Sequence, residues 1–159
     1  MIKASKLTVF IGSDHGGFDL KSHLIGFLNK EGVEVKDFGT HSKDAVDYPD
    51  VAFLVARGVA EARSAGRNVF GVMIDAIGVA SAMVCNRVAG IRAAPCWCEF
   101  AAESAREHNN AHVLTMGGRV LGTGMAERIL RKFLETDYAG GRHERRVVKI
   151  HSLPGESGK

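Results

Sequence analysis

The feature that most restricts the fold of this chain is a regular alternation of short apolar runs with longer amphipathic stretches. "LTVFIG" (Leu7–Gly12) and "VFGVMI" (Val69–Ile74) are almost continuously apolar and rich in branched side chains. Such strands are covered on both faces, which is the habit of parallel sheets. "VEVKDFG" (Val33–Gly39), a weaker "GIRAAPC" (Gly90–Cys96) and "AHVLTMGG" (Ala111–Gly118) supply three more. Helical periods lie between them. Leu20, Leu24, Phe27 and Leu28 share one helix face, and Gly32 follows as a stop. From about Asp50, Val51, Leu54, Val55 and Val59 share another, ending at Gly66. Glu99–Asn110 and Gly122–Glu135, the latter with Thr123 as the expected cap, are two further helices; Asp137 to Ile150 reads as a loop and a basic helix. This order predicts an α/β fold: a parallel sheet with helices on both faces.

In such a sheet a ligand sits beyond the carboxyl ends of the strands. The residues found there are Ser13-Asp14-His15-Gly16-Gly17, Asp75-Ala76-Ile77-Gly78 and Gly117-Gly118-Arg119. Two acids, a histidine and an arginine suit a polar small molecule. Each also has a plainer reading. Asp14 is a good helix cap, and Asp75 ends a strand in a turn. His108 and Asn109 suit the end of a helix. Arg142 and Arg146 are four apart, so on a helix they share a face that is either solvated or holds a phosphate. "GSDHGG" is not the dinucleotide fingerprint and no Walker sequence is present, so a nucleotide-binding module is disfavoured.

With 159 residues, one domain is expected, over 1–150, followed by a polar, flexible tail over 151–159. The net charge is +3 and its basic excess sits in "GGRHERRVVK", too narrow a face for a nucleic-acid binder. The chain has three cysteines and no apolar run long enough for a signal or a membrane span, so a reducing cytoplasm is expected, with no membrane partner. Cys96-Trp97-Cys98 is too tightly spaced for a C-x-x-C zinc or redox motif.

Taken together, "GSDHGGFDLK", "DYPD", "AREHNNAHVLTMGGRV" and "GGRHERRVVKI" resemble, in order and spacing, the type B ribose-5-phosphate isomerases and the galactose-6-phosphate isomerase subunits, from about Leu7 to Ile150. The resemblance implies a Rossmann-like three-layer α/β/α fold on a five-stranded parallel sheet. It implies a homodimer or homotetramer with shared sites, and interconversion of aldose and ketose phosphates through an enediolate, with no metal and no cofactor. Asp14, His15 and Tyr48 would hold the sugar. His108 would act as acid and base in ring opening, and Asn109 would hold a hydroxyl, both reaching in from the other subunit. Arg142 and Arg146, with Arg119, would bind the phosphate.

One loop departs from the family. Where its members carry C-G-T-G-x-G after the third strand, this chain reads Asp75-Ala76-Ile77-Gly78-Val79-Ala80. The family's base is the cysteine, here Asp75. Its assisting threonine is Ile77, and the loop's backbone amides would meet the enediolate. A second branch has a glutamate base six positions on, where this chain has Ser81. The loop "IDAIGVASAM" is closest to that of the galactose-6-phosphate isomerase A subunit, although His15 and a full E-H-N-N set the chain apart from it. Three readings follow. Asp75 is the base of an autonomous isomerase; the chain is one subunit of a heteromer whose cysteine-bearing paralogue supplies the base; or it binds a sugar phosphate without turnover.

Overall fold

The computed structural model describes Ile2 and residues 7–153; the end of the tail, 154–159, lies outside the described residues. Five strands, β1 (Thr8–Ser13), β2 (Glu34–Asp37), β3 (Val69–Asp75), β4 (Ala93–Pro95) and β5 (Val113–Gly117), form one all-parallel sheet in the order β2-β1-β3-β5-β4. The helices are α1 (Phe18–Lys30), α2 (Tyr48–Ser64), α3 (Ala80–Cys85), α4 (Glu99–Glu107), α5 (Thr123–Glu135) and, after a 3-10 turn at Gly141–His143, α6 (Glu144–Ser152).

Alternation along the strands divides the core between two faces. Val9, Ile11, Val72, Ile74, Leu114 and Met116 point to one side, where α1, α4 and α5 cover them with Leu24, Ala102, Ile129 and Phe133. Phe10, Met73 and Val113 point to the other, where α2 and α3 bring Val55, Val59 and Cys85. The α/β expectation therefore holds, in three layers.

The chain leaves β1 towards β2 on one side and returns to place β3 on the other. That reversal makes the gap between β1 and β3 a topological switch point, the place where open α/β sheets bind ligands. Register puts Ser13 beside Ile74 and Asp75 beside Gly117, so Asp14 and Asp75 leave the sheet from neighbouring strands.

Several local expectations change. Helix α3 lacked a sequence signal, because the small residues after Asp75 read as loop. Helix α2 begins at Tyr48, with Pro49 in its first turn, a position where the missing N–H costs nothing. Thr123 is not the cap of α5; Gly122 is, with no side-chain cap bond. Leu54 is exposed, while the small Ala52 and Ala56 are buried against the sheet. Arg142 lies in the 3-10 turn ahead of α6, so Arg142 and Arg146 do not share one α-helix. Helix α6 also runs through Ser152, past the expected domain end at 150.

Candidate active site

Three loops meet over the carboxyl ends of β1, β3 and β5. Asp14 is buried, and its Oδ1 accepts from the Gly17 N–H at 3.0 Å. Gly17, not Asp14, is the N-cap of α1, so the carboxylate braces the turn rather than the helix. A side chain at Gly17 would drive its Cβ to 2.2 Å from the Ile74 carbonyl, so only glycine lets these loops close together. His15 is exposed beside this turn, and its Nδ1 accepts the Val46 N–H at 3.4 Å, just ahead of Tyr48 on α2.

Asp75 is the most heavily bonded acid of the site. Its Oδ1 accepts from the N–H groups of Ile77, at 2.8 Å, and Gly78, while Oδ2 accepts from the Ser81 N–H at 2.9 Å. Burial alone would raise its pKa. Against that act the Ser81 hydroxyl, itself without a well-aligned partner, and the three amides, and the net shift is below the usual carboxylate value. The carboxylate is therefore ionised at neutral pH. The lowering comes from the Ser81 hydroxyl and the peptide amides, with no contribution from Arg142 or Arg146. Gly78 takes φ +89, a conformation that suits glycine, and its carbonyl accepts from Thr115 Oγ1 at 2.6 Å. Ile77 and Val79 are exposed at the loop's crest, and Ala76 and Ala80 are half-buried. The Arg119 N–H bonds the Ala76 carbonyl, leaving that arginine exposed next to the loop.

The remaining candidates lie elsewhere. His108 caps the C-terminus of α4, just ahead of β5, at the opposite end of the sheet. Strand β5 has five residues and rises ~3.3 Å per residue, so roughly 13 Å of sheet separates the two ends. There Ser104 Oγ lies 3.2 Å from His108 Nδ1, and the His108 ring stacks on His143 with centroids 4.4 Å apart. Burial, then the neighbouring His108, Arg142 and Arg146, hold His143 below the usual imidazole value. Asn109, Arg142 and Arg146 are exposed around this stack. The candidate residues thus fall into two separated groups: Asp14, His15, Tyr48, Asp75–Ala80 and Arg119 at one end of the sheet, and His108, Asn109, Arg142 and Arg146 at the other.

The sequence matches the Ribose/Galactose Isomerase family over residues 9–150. The chain belongs to that family. Members of the family that resemble it include ribose-5-phosphate isomerase B of Escherichia coli (strain K12), 39% identical over 145 residues, spanning 91% of this chain and 95% of that protein. D-erythrulose-4-phosphate isomerase of Pectobacterium atrosepticum is 33% identical, spanning 91% and 93%. The crystal structure of a ribose 5-phosphate isomerase from Thermotoga maritima superposes with a TM-score of 0.88 at 40% identity, covering 94% of this chain and 100% of that one. The chain is accordingly a sugar-phosphate isomerase of the type B class, an aldose–ketose isomerase.

The two buried cysteines are unsuited to replace the cysteine that the family resemblance leads one to expect at position 75. Burial pushes the Cys85 thiol up to about 12, with the charge of Asp75 adding to it, and burial does the same for Cys96. Among the described residues no three His, Cys, Asp or Glu side chains converge to hold a metal ion. No helix of the described residues is long and apolar enough to cross a membrane. The pairing of buried Lys21 with Asp37, which stays open to solvent, carried little sequence signal. Lys21 Nζ meets both carboxylate oxygens at 2.6 Å, and Asp37 Oδ1 also accepts the Gly39 N–H, fixing the loop that leads towards Tyr48. The only sequence signal was Lys21 on the apolar face of α1, next to Leu20 and Leu24.

Proposed function

We propose that the protein interconverts an aldose phosphate and its ketose through an enediolate, in a site assembled from two chains. The observation that carries this reading is the separation of the half-sites. Asp75 and Arg119 stand at one end of the sheet and His108 with Arg142 and Arg146 at the other, so a second copy must supply what one chain lacks. A homodimer is the smallest assembly that does so, and a homotetramer is two of them. In this site Asp14, His15 and Tyr48 hold the sugar hydroxyls. His108 of the second copy opens the ring, and its Asn109 holds a hydroxyl. Arg142 and Arg146 of that copy, with Arg119, take the phosphate.

Asp75 is the proton-transferring base in this reading. Its Oδ2 carries one backbone bond and retains a lone pair, and its ionised state is the state a base requires. Ribose 5-phosphate and ribulose 5-phosphate are the first substrates to test, since the Escherichia coli and Thermotoga relatives carry that name. A four-carbon phosphate follows, from the name of the Pectobacterium relative, and then a hexose phosphate. Ile77 widens this choice, because it puts an apolar side chain where the family has a hydroxyl.

A second reading is favoured by the same bonds: a carboxylate gripped by three amides is an anchor. The base would then come from a cysteine-bearing paralogue, as in a heteromer of the galactose-6-phosphate isomerase kind. The test is a panel of tetrose, pentose and hexose phosphates in D2O, scored by exchange at C2. Exchange with the purified homomer supports the first reading; exchange only after a cysteine-bearing chain is added supports the second. Mixing His108→Ala with Asp75→Asn chains should restore activity to one site in the mixed dimer. No restoration, or a sedimentation mass near 17.1 kDa, would overturn the two-chain site.

A further inference from the structure

A dense polar cluster lies under the turn that carries His108. Arg92 enters it from the start of β4. Its Nε donates to the Asn109 carbonyl at 2.8 Å and to the Asn110 carbonyl at 3.2 Å, and Nη2 donates to the Asn110 carbonyl at 2.9 Å. Nη2 also donates to His112 Nε2 at 3.0 Å, and Nη1 donates to His151 Nε2 on α6. Arginine has no acceptor, so both rings receive these bonds on an unprotonated nitrogen. For His112 the surroundings agree: burial, then Arg92, Arg63 and Arg106, push its pKa down to about 3.

From below, Arg106 closes the same turn. Its Nη1 donates to Asn110 Oδ1 at 2.9 Å and to the Ala111 carbonyl at 2.7 Å, and its guanidinium lies 4.5 Å over the Phe70 ring. Asn110 sits between the two arginines at φ +47, a left-handed conformation that asparagine tolerates better than most residues. Three successive backbone carbonyls, at 109, 110 and 111, are therefore held by guanidinium groups, and the same Arg92 reaches the helix that bears Arg146.

We propose that Arg92 is a positioning residue of the isomerase: it locks the His108–Asn109 turn to the arginine-bearing helix α6, so that the acid–base group and the phosphate-binding group are presented to the site as one rigid unit. This rests on the reading that His108, Asn109 and Arg146 serve the site. Lysine cannot replace arginine here, because one ammonium cannot span two carbonyls and two imidazoles in the planar fork. Misplacing a reacting group by about 1 Å costs on the order of 10²-fold in rate.

The test compares Arg92→Lys with wild type in two measurements. The first is turnover in mixed dimers. Arg92→Lys alone should lose ten-fold or more in kcat. Mixing with Asp75→Asn chains should restore it, because the competent site then pairs an intact turn with an intact Asp75. Mixing with His108→Ala chains should not. Equal rescue by both, or an unchanged kcat, would overturn the proposal. The second is amide hydrogen exchange, which needs no activity. Asn110 and Ala111, whose N–H groups bond Arg106 and Ala105, should exchange at least ten-fold faster, while Val72 and Met73 in β3 stay protected. An unchanged rate at 110 and 111 would also overturn it. Failure of the isomerase reading would show as inactive wild type with the exchange difference intact.

Discussion

Asp75→Asn tests the loop most directly, and its effect can be worked out from the hydrogen bonds. The carboxylate receives two N–H groups on Oδ1 and one on Oδ2. The amide keeps an acceptor for the first two. It then turns an NH2 towards the Ser81 N–H, donor against donor. A hydrogen bond to a charged group contributes about 1.5–3 kcal/mol, and an orphaned buried N–H costs about 1–3 kcal/mol. The two are partly the same loss, so a destabilisation of about 3 kcal/mol is expected. For a domain of this size that lowers Tm by about 6–12 °C. The dependence on pH has a definite sign. The folded pKa lies below the ordinary 3.8, so the carboxylate stabilises the fold above that value. The advantage is lost as pH falls through the folded pKa, where Asp75 becomes protonated and resembles the amide. Calorimetry from pH 7 down to pH 3 should show the gap between wild type and variant closing below pH 4. A constant gap, or none at pH 7, would refute the account of Asp75 as a caged anion. Turnover gives a separate result: loss of a positioned base costs about 10²–10⁴-fold. If C2 exchange persists at the wild-type rate, Asp75 is not the base even though it is caged.

Arg142→Ala or Arg146→Ala should weaken sugar-phosphate binding about ten-fold or more, with little change in Tm, since both are exposed and each charge-assisted bond contributes about 1.5–3 kcal/mol; unchanged affinity by titration calorimetry in both variants would remove them from the phosphate site. Lys21→Ala strips the cation from a carboxylate that the loop after β2 depends on, and should destabilise the fold by about 1.5–3 kcal/mol, the range for a charge-assisted hydrogen bond, since Asp37 stays hydrated; chemical denaturation showing less than 1 kcal/mol would contradict this.

The sheet was legible because its signals are local. Continuous apolar runs such as Val69–Ile74 report two-sided burial, and glycines mark where the strands and helices stop. What escaped was set by contacts between distant segments. Nothing local tells that Ala80–Cys85 coils into a helix; the Ser81 N–H finds Asp75 six residues back, and Cys85 packs against α2. Lys21 lies on the apolar face of α1, but its partner Asp37 comes from β2, 16 residues on, which no local pattern marks. The half-sites were legible as residue types but not as places. The E-H-N-N and G-G-R-H-x-x-R segments are far apart in sequence and close in space, joined by the His108–His143 stack. Asp14 and Asp75 are also far apart in sequence, yet they leave neighbouring strands.

That adjacency raises an electrostatic problem whose solution bears on the whole site. Two buried carboxylates at neighbouring strand ends would repel each other and any phosphate. Here each is met by backbone N–H groups of its own turn, Gly17 for Asp14 and three amides for Asp75. Peptide dipoles thus offset the charge of both carboxylates, an arrangement that suits a neutral, hydroxyl-bearing part of a ligand above the loops. The same arrangement leaves that end poorly suited to the anionic part. Arg119 is exposed beside the loop after β3, and Lys43, exposed after β2, is paired with Asp19, whereas Arg142 and Arg146 cluster at the far end of the sheet. A ligand that is a polyol at one end and a phosphate at the other matches this division only if the far end of another copy lies over the loops. This charge layout supports the proposed two-chain site on grounds separate from the position of His108.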